Sequence, residues 1–213
     1  MKPLVIIGAG GFGRETVALV EDINAMKGQW LIKGFVDDAA DLSGATIMGY
    51  PVLGTLDWLT TQRGLHYVIA VGASLTRRRL AQRLGEIPHE AAKLIHPSAA
   101  YHATTLLGPG AIICRGASLT VSIGVGRHVI ADVHSTIGHD TNLGDFVTLH
   151  PGVHISGGAI IGQAVELGTG SVVLPSICIG EETIVGAGAV VNRSLPACCT
   201  AVGVPARPLD ARS

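Results

Sequence analysis

The sequence predicts two structural units in tandem: a small parallel α/β unit of Rossmann-like type over residues 1–94, and an all-β parallel β-helix over residues 95–195. A tail of residues 196–213 follows. Two observations predict this fold class. From residue 95 to residue 191 an aliphatic side chain recurs at nearly every sixth position in one phase, a spacing that neither an α-helix nor a β-strand produces. Before residue 95, short apolar runs alternate with stretches of helical periodicity.

The N-terminal unit opens with a predicted strand at 4–7, a glycine-rich turn and a predicted helix at 14–26. Further strands are predicted at 30–36 and 67–71, and a second helix at 75–84. The turn, Gly8-Ala9-Gly10-Gly11-Phe12-Gly13, matches G-x-G-x-x-G, whose backbone amides at a helix N-terminus can hold a diphosphate. A tight turn without a ligand is the alternative. The unit is short for a complete dinucleotide-binding domain and no hydride-transfer site follows it, so a half-sized nucleotide site is favoured over a dehydrogenase.

The hexad positions predict the β-helix. Each aliphatic residue should point inward and stack on its equivalent in the next coil, about 4.8 Å away, and three hexads should close one triangular coil. About five coils should result, with glycine at the corners because a Cβ would oppose the backbone angles there. A globular β-sandwich would show strands every 8 to 12 residues with two-residue alternation, which is absent from the sequence. The hexad positions are Ile95, Tyr101, Leu107, Ile113, Leu119, Val125, Ala131, Ile137, Leu143, Leu149, Ile155, Ile161, Leu167, Val173, Ile179, Val185 and Val191.

Composition restricts the functional classes. Hydrophobic residues make up 47% and charged residues 15% of the 213, which favours a surface partly buried against other subunits. The balance of 15 basic against 16 acidic residues argues against a nucleic-acid partner. Neither a membrane-spanning apolar run nor a signal peptide is recognisable, so a cytoplasmic protein with no membrane partner is expected. The four cysteines have no metal-type spacing, and neither a metal nor a disulfide framework is expected.

Six segments together carry a family resemblance over essentially the whole chain. They are the glycine turn, Gly34-Phe35-Val36-Asp37-Asp38, Ile95-His96-Pro97-Ser98-Ala99, the hexads, Ile137-Gly138-His139-Asp140 and Gly203-Val204-Pro205-Ala206. In this order they resemble the bacterial sugar acyltransferases of the sialic acid O-acetyltransferase and nucleotide-4-amino-sugar N-acetyltransferase family. The resemblance implies a left-handed β-helix and a homotrimer with active sites between subunits. It also implies acetyl-coenzyme A as donor and a nucleotide-linked sugar, often its 4-amino group, as acceptor.

The resemblance also assigns roles to individual residues. It implies that His139 is the general base and that Asp140 is its acidic partner. The positions implied for the acceptor are Gly8, Gly10, Gly11, Asp37, Asp38, Arg77 and Asp132. The positions implied for the coenzyme are Thr148, Gly157, Thr169, Ala187, Gly203, Val204, Pro205, Ala206 and Arg207.

Chemistry supports the assignment of His139. Attack of an amine or hydroxyl on a thioester requires removal of a proton, and imidazole, with an ordinary pKa near 6.5, suits that task at neutral pH. Adjacent side chains on a flat strand point oppositely, so His139 and Asp140 can pair only if the corner turns them together. The alternative for His139 is a solvated turn residue. Two positions depart from the family: Thr148 stands where a histidine is common, and Asp132 where an asparagine is frequent.

Alternatives remain for other segments and for the function. Arg77 belongs to a basic run, 77–79, which is more often a solvated helix face, and the tail can simply cap the last coil. A sialic acid type O-acetyltransferase remains possible, as does a nucleotide-sugar-binding module without catalysis. The spacing of His134 and His139 also resembles that of zinc ligands in β-helical carbonic anhydrases. The sequence does not distinguish N- from O-acetylation, nor uridine, guanosine and thymidine nucleotides, and does not identify the pathway.

Overall fold

A computed structural model describes residues 1–85 and 89–209. The N-terminal unit contains β1 (Lys2–Ile7), α1 (Gly11–Lys27), β2 (Trp30–Val36), β3 (Thr46–Ile47), β4 (Tyr50–Gly54), α2 (Leu56–Thr61), β5 (His66–Ile69), α3 (Ser74–Leu84) and β6 (Glu90–Ala91), with a 3₁₀ turn at Ala40–Leu42. These form one six-stranded sheet in the order β3-β4-β2-β1-β5-β6, parallel except for the β3–β4 hairpin. The predicted strands and helices are all present, with ends shifted by up to three residues.

The apolar pattern explains this unit. Residues Leu4, Val5 and Ile6 of β1 are fully buried at the centre of the sheet. Helix α1 packs Val17 and Val20 against Leu4 and Ile6, at the helical spacing seen in the sequence, whereas Val5 faces the core on the other side of the sheet. The helix ends at Gly28, whose left-handed backbone (φ 56°) lets its N–H reach the carbonyl of Asn24.

From residue 94 the chain winds into short two-residue strands. These are β7 (Leu94–Ile95), β8 (Ala100–Tyr101), β9 (Leu106–Leu107), β10 (Ile112–Ile113), β11 (Ser118–Leu119), β12 (Gly124–Val125), β13 (Ile130–Ala131), β14 (Thr136–Ile137), β15 (Asn142–Leu143), β16 (Thr148–Leu149), β17 (His154–Ile155), β18 (Ile160–Ile161), β19 (Glu166–Leu167), β20 (Val172–Val173), β21 (Cys178–Ile179), β22 (Ile184–Val185) and β23 (Val190–Val191). The tail adds β24 (Thr200–Val202) and β25 (Arg207–Pro208).

The short strands stack into three sheets. Sheet I has the order β25-β24-β22-β19-β16-β13-β10-β7, sheet II β23-β20-β17-β14-β11-β8, and sheet III β21-β18-β15-β12-β9. Strands of successive coils pair in parallel eighteen residues apart, as Ile113 pairs with Ala131. We call the turns from sheet I to II corner 1, from II to III corner 2, and from III to I corner 3. The parallel β-helix predicted from the hexads is therefore present.

The inward ladder is confirmed from Ile113 to Val191, where every hexad position is buried. Its first members differ: Tyr101 is 48% exposed, and Ile95 and Leu107 are only partly buried. The first coil has no coil beneath it to cover these side chains, so the expectation of a buried Tyr101 is wrong.

The glycines directly after the hexad positions are required for a reason other than the expected one. Gly138 and Gly144 do not adopt left-handed angles; a Cβ on Gly138 would lie 2.5 Å from the backbone nitrogen of Gly157 in the next coil. The left-handed positions are instead occupied partly by residues with side chains, such as Asp140 (φ 59°) and Phe146 (φ 62°). Close approach of successive coils therefore selects glycine directly after the hexad position, whereas corner glycines two residues further on, such as Gly158 (φ 72°), do adopt the left-handed angles that the sequence predicted.

The N-terminal unit docks on sheet I and corner 3. The outward side chains of Leu94, Ile112 and Ile130 join the core beneath α1. At corner 3, the ring of His128 stacks between Phe146 and Tyr67 of β5, with ring centroids 5.4 and 6.2 Å away. Burial, followed by the nearby positive charge of Arg77, lowers the pKa of His128 to about 4, so this histidine is a neutral packing element at neutral pH.

Candidate active site

A cavity of about 250 Å³ opens at the carboxyl ends of β1, β2 and β5. Its lining residues are Ile7, Gly8, Val36, Asp37, Asp38, Leu56, Val71, Thr76 and Leu80. Ligands of open parallel α/β sheets bind at such strand ends, where the chain crosses from one side of the first strand to the other. The order β2-β1-β5 places that crossing at β1, beside the glycine turn.

The glycine turn has the shape that anion binding needs. A Cβ on Gly8 (φ 100°) would lie 2.9 Å from the carbonyl oxygen of Ala70, and one on Gly13 would lie 2.0 Å from the carbonyl oxygen of Gly8. In contrast, a Cβ on Gly10 or Gly11 would have no atom of the described residues within 4 Å, apart from those of its own helix and chain neighbours. Among the same residues, no side chain caps the N-terminus of α1 and no acid stands in its first turn. Its amides therefore remain available to a diphosphate.

The two carboxylates after β2 have structural partners. Asp37 accepts hydrogen bonds from the amides of Ala9 (2.8 Å) and Ala39 (2.9 Å), so it fixes the glycine turn. Asp38 accepts from the amide of Leu56 (2.9 Å) at the start of α2 and pairs with Arg83. These two contacts, the Leu56 bond first, lower the pKa of Asp38. Asp37 lies against the predicted phosphate turn, whereas Asp38 is largely engaged as a helix cap.

His139 and Asp140 form a pair at corner 2. Nδ1 of His139 lies 2.8 Å from Oδ2 of Asp140, and both side chains are 66% exposed. The left-handed backbone of Asp140 turns the two adjacent side chains to the same side, which is the condition the sequence left open. The imidazole lies over Gly157 of the next coil, where a Cβ would come within 2.5 Å of Nε2. The residues thus place an oriented imidazole on an open surface.

The remaining predicted residues of the β-helix lie on another corner. Asp132, Thr169 and Ala187 belong to corner 1, separated from His139 and Gly157 by a strand of sheet II. Asp132 is 9% exposed and lines a cavity of about 270 Å³ between α1 and the β-helix. The other lining residues are Glu15, Ala18, Leu19, Asp22, His96, Cys114, Arg115 and Val133. A single chain therefore does not bring all the predicted site residues together.

Arg77 and Thr148 are buried at the contact between the two units. Arg77 is fully buried, and its guanidinium donates to carbonyl oxygens of both units, among them those of Val71 (2.6 Å), His128 (2.8 Å) and Phe146 (2.7 Å). Thr148 is 1% exposed, and its hydroxyl lies between Arg77 and the carbonyl of Gly72. The solvated-face interpretation of Arg77 is therefore wrong. In the single chain neither Arg77 nor Thr148 has an exposed side chain with which to contact the acceptor or the coenzyme, the roles that the resemblance implied for them. The tertiary contact between the units buries them.

The tail covers the last coil. Strand β24 pairs with β22, and the amide of Ala206 donates to the carbonyl of Val190 (2.8 Å). Ala206 is buried, whereas Val204 is 73% exposed and Arg207 donates to Asn192 Oδ1 (3.2 Å) at the surface. The expected edge-capping role is confirmed, with Val204 and Arg207 left at the surface.

The contact of Glu166 with the N-terminal unit was not predicted from the sequence. Glu166, an outward residue of sheet I, accepts from the amide (2.6 Å) and hydroxyl (2.8 Å) of Ser74 at the N-terminus of α3. His150 first, then Ser74, lowers the pKa of Glu166 to about 2, although the His150 atom is 3.8 Å away and the Ser74 bonds are shorter. A hexad pattern marks outward positions but not which unit covers them, so no sequence signal identified this contact.

Residues 1–85 and 89–209 contain no group of three or more His, Cys, Asp or Glu side chains arranged to hold a metal ion. His134 packs over Gly116 at corner 1, and His139 stands at corner 2. The zinc alternative thus has no ligand set within the described part of one chain. No helix in that part is long and apolar enough to cross a bilayer.

A parallel β-helix with an exposed histidine–carboxylate pair, joined to an α/β unit with an open anion-binding turn, defines an acyltransferase of the hexapeptide-repeat class. Residues 3–84 match the model of the PglD N-terminal domain. The chain is 32% identical to a GDP-perosamine N-acetyltransferase of Escherichia coli O157:H7, over 95% of this chain and 94% of the relative. It belongs to the family of bacterial nucleotide-amino-sugar N-acetyltransferases, and the resemblance found in the sequence is confirmed.

Solved structures agree with this assignment. A histidine-to-asparagine variant of perosamine N-acetyltransferase from Caulobacter crescentus, in complex with CoA and GDP-perosamine, matches with a TM-score of 0.90 and 31% identity, covering 99% of this chain and 98% of that one. The acetyltransferase domain of PglB from Neisseria gonorrhoeae FA1090 matches with a TM-score of 0.89 and 29% identity, covering 98% and 100%.

Proposed function

We propose that this protein transfers an acetyl group from acetyl-coenzyme A to the 4-amino group of a nucleotide-linked amino sugar, with His139 as general base. The observation that carries the proposal is the oriented His139–Asp140 pair, in a chain that matches a GDP-perosamine N-acetyltransferase over nearly the whole length of both. Perosamine N-acetyltransferase binds CoA and GDP-perosamine, ligands of the two classes this reaction needs.

The geometry supports a stepwise proton transfer. With its Nδ1 proton donated to Asp140, the imidazole keeps Nε2 free to accept a proton. The sugar amine attacks the thioester carbonyl, and Nε2 takes a proton from the attacking nitrogen. The carbon–sulfur bond then breaks, and the imidazolium returns that proton to the coenzyme thiolate. A base of this kind contributes about 10²- to 10⁴-fold to the rate.

The N-terminal unit, residues 1–94, is proposed to hold the acceptor. The open amides around Gly10 and Gly11, together with the tight turn at Gly8, suit the diphosphate, and Asp37 stands where it can meet the ribose. Asp132, in the cavity beside α1, is proposed to face the sugar. Asp38 shapes the cavity wall while capping α2.

Residues 95–195 and the tail are proposed to hold the donor. Backbone groups at Gly157, Thr169 and Ala187 would bond the pantetheine amides. The tail segment Gly203–Ala206 would lie beside the adenine, with Arg207 near a phosphate.

We also propose a homotrimer of left-handed β-helices with active sites between subunits. Gly157 lies at corner 2, whereas Thr169 and Ala187 lie at corner 1. We propose that one coenzyme contacts residues of both corners where corner 1 of one chain faces corner 2 of another. Exposed apolar side chains on sheet III, Leu106 (74%) and Ile160 (55%), supply surface for such association. Because acetyl-coenzyme A is a cytoplasmic metabolite, the cytoplasm is the proposed site of action.

The test is consumption of acetyl-coenzyme A, read as free thiol. The acceptor panel contains UDP-, GDP- and dTDP-linked 4-amino sugars and free sialic acid, and the enzymes are wild type and His139→Ala. Turnover with a nucleotide amino sugar that falls at least about 100-fold in His139→Ala supports the reaction and the base together. Turnover with sialic acid alone would replace the proposal by O-acetylation. Silence with every acceptor would leave a binding module.

A further inference from the structure

The contact between the two units contains a polar cluster that packing alone does not require. Arg77 makes six hydrogen bonds: to the carbonyls of Val71 and Gly72 in its own unit, and to those of His128, Phe146 and Val147 and the hydroxyl of Thr148 in the β-helix. Burial lowers the pKa of Arg77 to about 9. A buried charge is costly, and apolar residues of similar volume often stabilise a contact as well or better. What such a network provides is a fixed geometry.

Thr148 connects this cluster to one particular loop. Its hydroxyl donates to the carbonyl of Gly72 (2.7 Å) and accepts from Nη2 of Arg77 (2.8 Å). Elsewhere on sheet I, Ile112 and Ile130 meet the N-terminal unit through apolar contact, and Glu166 accepts hydrogen bonds from Ser74, just after the loop 71–73. Thr148 differs from them because its hydroxyl bonds a carbonyl of the loop itself. We call Arg77, Thr148 and the Val71 and Gly72 carbonyls the clasp.

The loop held by the clasp is part of the nucleotide cavity. Val71 lines that cavity, together with Thr76 in the first turn of α3. The same loop abuts the glycine turn, because a Cβ on Gly8 would lie 2.9 Å from both Ala70 O and Val71 Cγ2. Because the two segments are in tight contact, a shift of the loop would also displace the glycine turn that is proposed to hold the diphosphate.

We propose that the clasp positions the nucleotide site from the β-helix, and that Thr148 is a positioning residue for acceptor affinity. This inference rests on the proposed nucleotide site. It gives Thr148 a role in place of the coenzyme contact that the sequence suggested. The clasp acts through the loop 71–73 and does not touch the donor.

Thr148→Val tests the proposal because it keeps the shape of the side chain and removes only the hydroxyl. Thr148→Ser is the matched control, since it keeps the hydroxyl. Calorimetry should show that Thr148→Val binds GDP, UDP or dTDP, whichever wild type binds, about fivefold to tenfold more weakly, with Thr148→Ser within about twofold of wild type. Hydrogen exchange at the amides of Gly72 and Ala73 should speed up in Thr148→Val alone, and the affinity for acetyl-coenzyme A should stay unchanged.

Other outcomes overturn the proposal. They are nucleotide affinity unchanged in Thr148→Val, equal weakening in Thr148→Ser, a lower melting temperature with unchanged affinity, or a wild type that binds none of the three nucleotides. If wild type transfers no acetyl group yet its nucleotide affinity depends on the Thr148 hydroxyl, the proposed reaction fails while the clasp stands.

Discussion

Replacing Gly157 by alanine should disable the base without damaging the fold. The added methyl carbon would lie 2.5 Å from Nε2, 2.6 Å from Cε1 and 2.8 Å from Cδ2 of His139. Restoring an ordinary contact of about 3.5 Å displaces the ring by about 1 Å, and a misplacement of that size can lower a rate about 100-fold. Gly157 does not lie in the left-handed region and His139 is 66% exposed, so the ring can move and stability should change by less than about 1 kcal/mol.

The assay compares kcat, the KM for acetyl-coenzyme A and urea unfolding in wild type and Gly157→Ala. We expect kcat to fall about 100-fold and the KM to stay constant, because alanine keeps the backbone groups proposed to meet the pantetheine. Gly28→Ala is the control: its left-handed position (φ 56°) is remote from the site, so it should lose about 1 kcal/mol of stability and no activity.

A double variant sharpens the prediction. In the His139→Ala background the clash disappears, so adding Gly157→Ala should lower kcat no further. A Gly157→Ala enzyme with wild-type kcat, or one altered only in its KM for acetyl-coenzyme A, would show that His139 need not lie over Gly157 to act.

Three further predictions concern other residues. The pKa of Glu166 falls from its ordinary value of 4.5 to about 2 on folding. The stability that the ionised carboxylate contributes to the folded state is therefore complete above about pH 4.5 and is lost as the pH falls toward 2. Glu166→Gln should therefore be less stable than wild type by about 2 kcal/mol at pH 7, allowing for partial exposure, and equal to it near pH 2; a pH-independent difference in urea unfolding would contradict this. Asp140→Asn should lower kcat about 100-fold through loss of imidazole orientation, less than for a buried triad, and an unchanged kcat would exclude that role. Arg207→Ala should raise the KM for acetyl-coenzyme A about fivefold. If the 3′-phosphate is the partner of Arg207, the KM for a donor that lacks this phosphate should be the same in wild type and in Arg207→Ala.

The β-helix could be predicted because its fold repeats in the sequence. A side chain such as Leu149 must be apolar to stack on Ala131 and Leu167, and the same requirement returns every six residues. The N-terminal strands and helices were equally accessible, since β1 and α1 bury their own apolar faces. The His139–Asp140 pair was identified from a motif, but its geometry depends on the left-handed angle at Asp140, which the sequence does not display.

The differences that concern Arg77 and Thr148 arise where one unit meets the other. Arg77 is a surface residue in the helix pattern and Thr148 an outward residue in the hexad pattern, yet docking buries both. Period alone does not say which face of the prism another unit covers. The period does place Gly157 and Thr169, twelve residues apart, at different corners of the coil, but it does not say which corners of neighbouring chains come together.

The identity of the acetylated atom tests the central claim most directly. Wild type would be given acetyl-coenzyme A and one of two nucleotide sugars: the nucleotide-linked 4-amino sugar of the panel that it turns over fastest, or the counterpart that carries a hydroxyl in place of the 4-amino group. The product would be assigned by NMR. We predict acetylation of the amine, with the hydroxyl counterpart at least about 100-fold slower. Equal rates on the two sugars, or acetylation at another position of the aminosugar, would contradict the account.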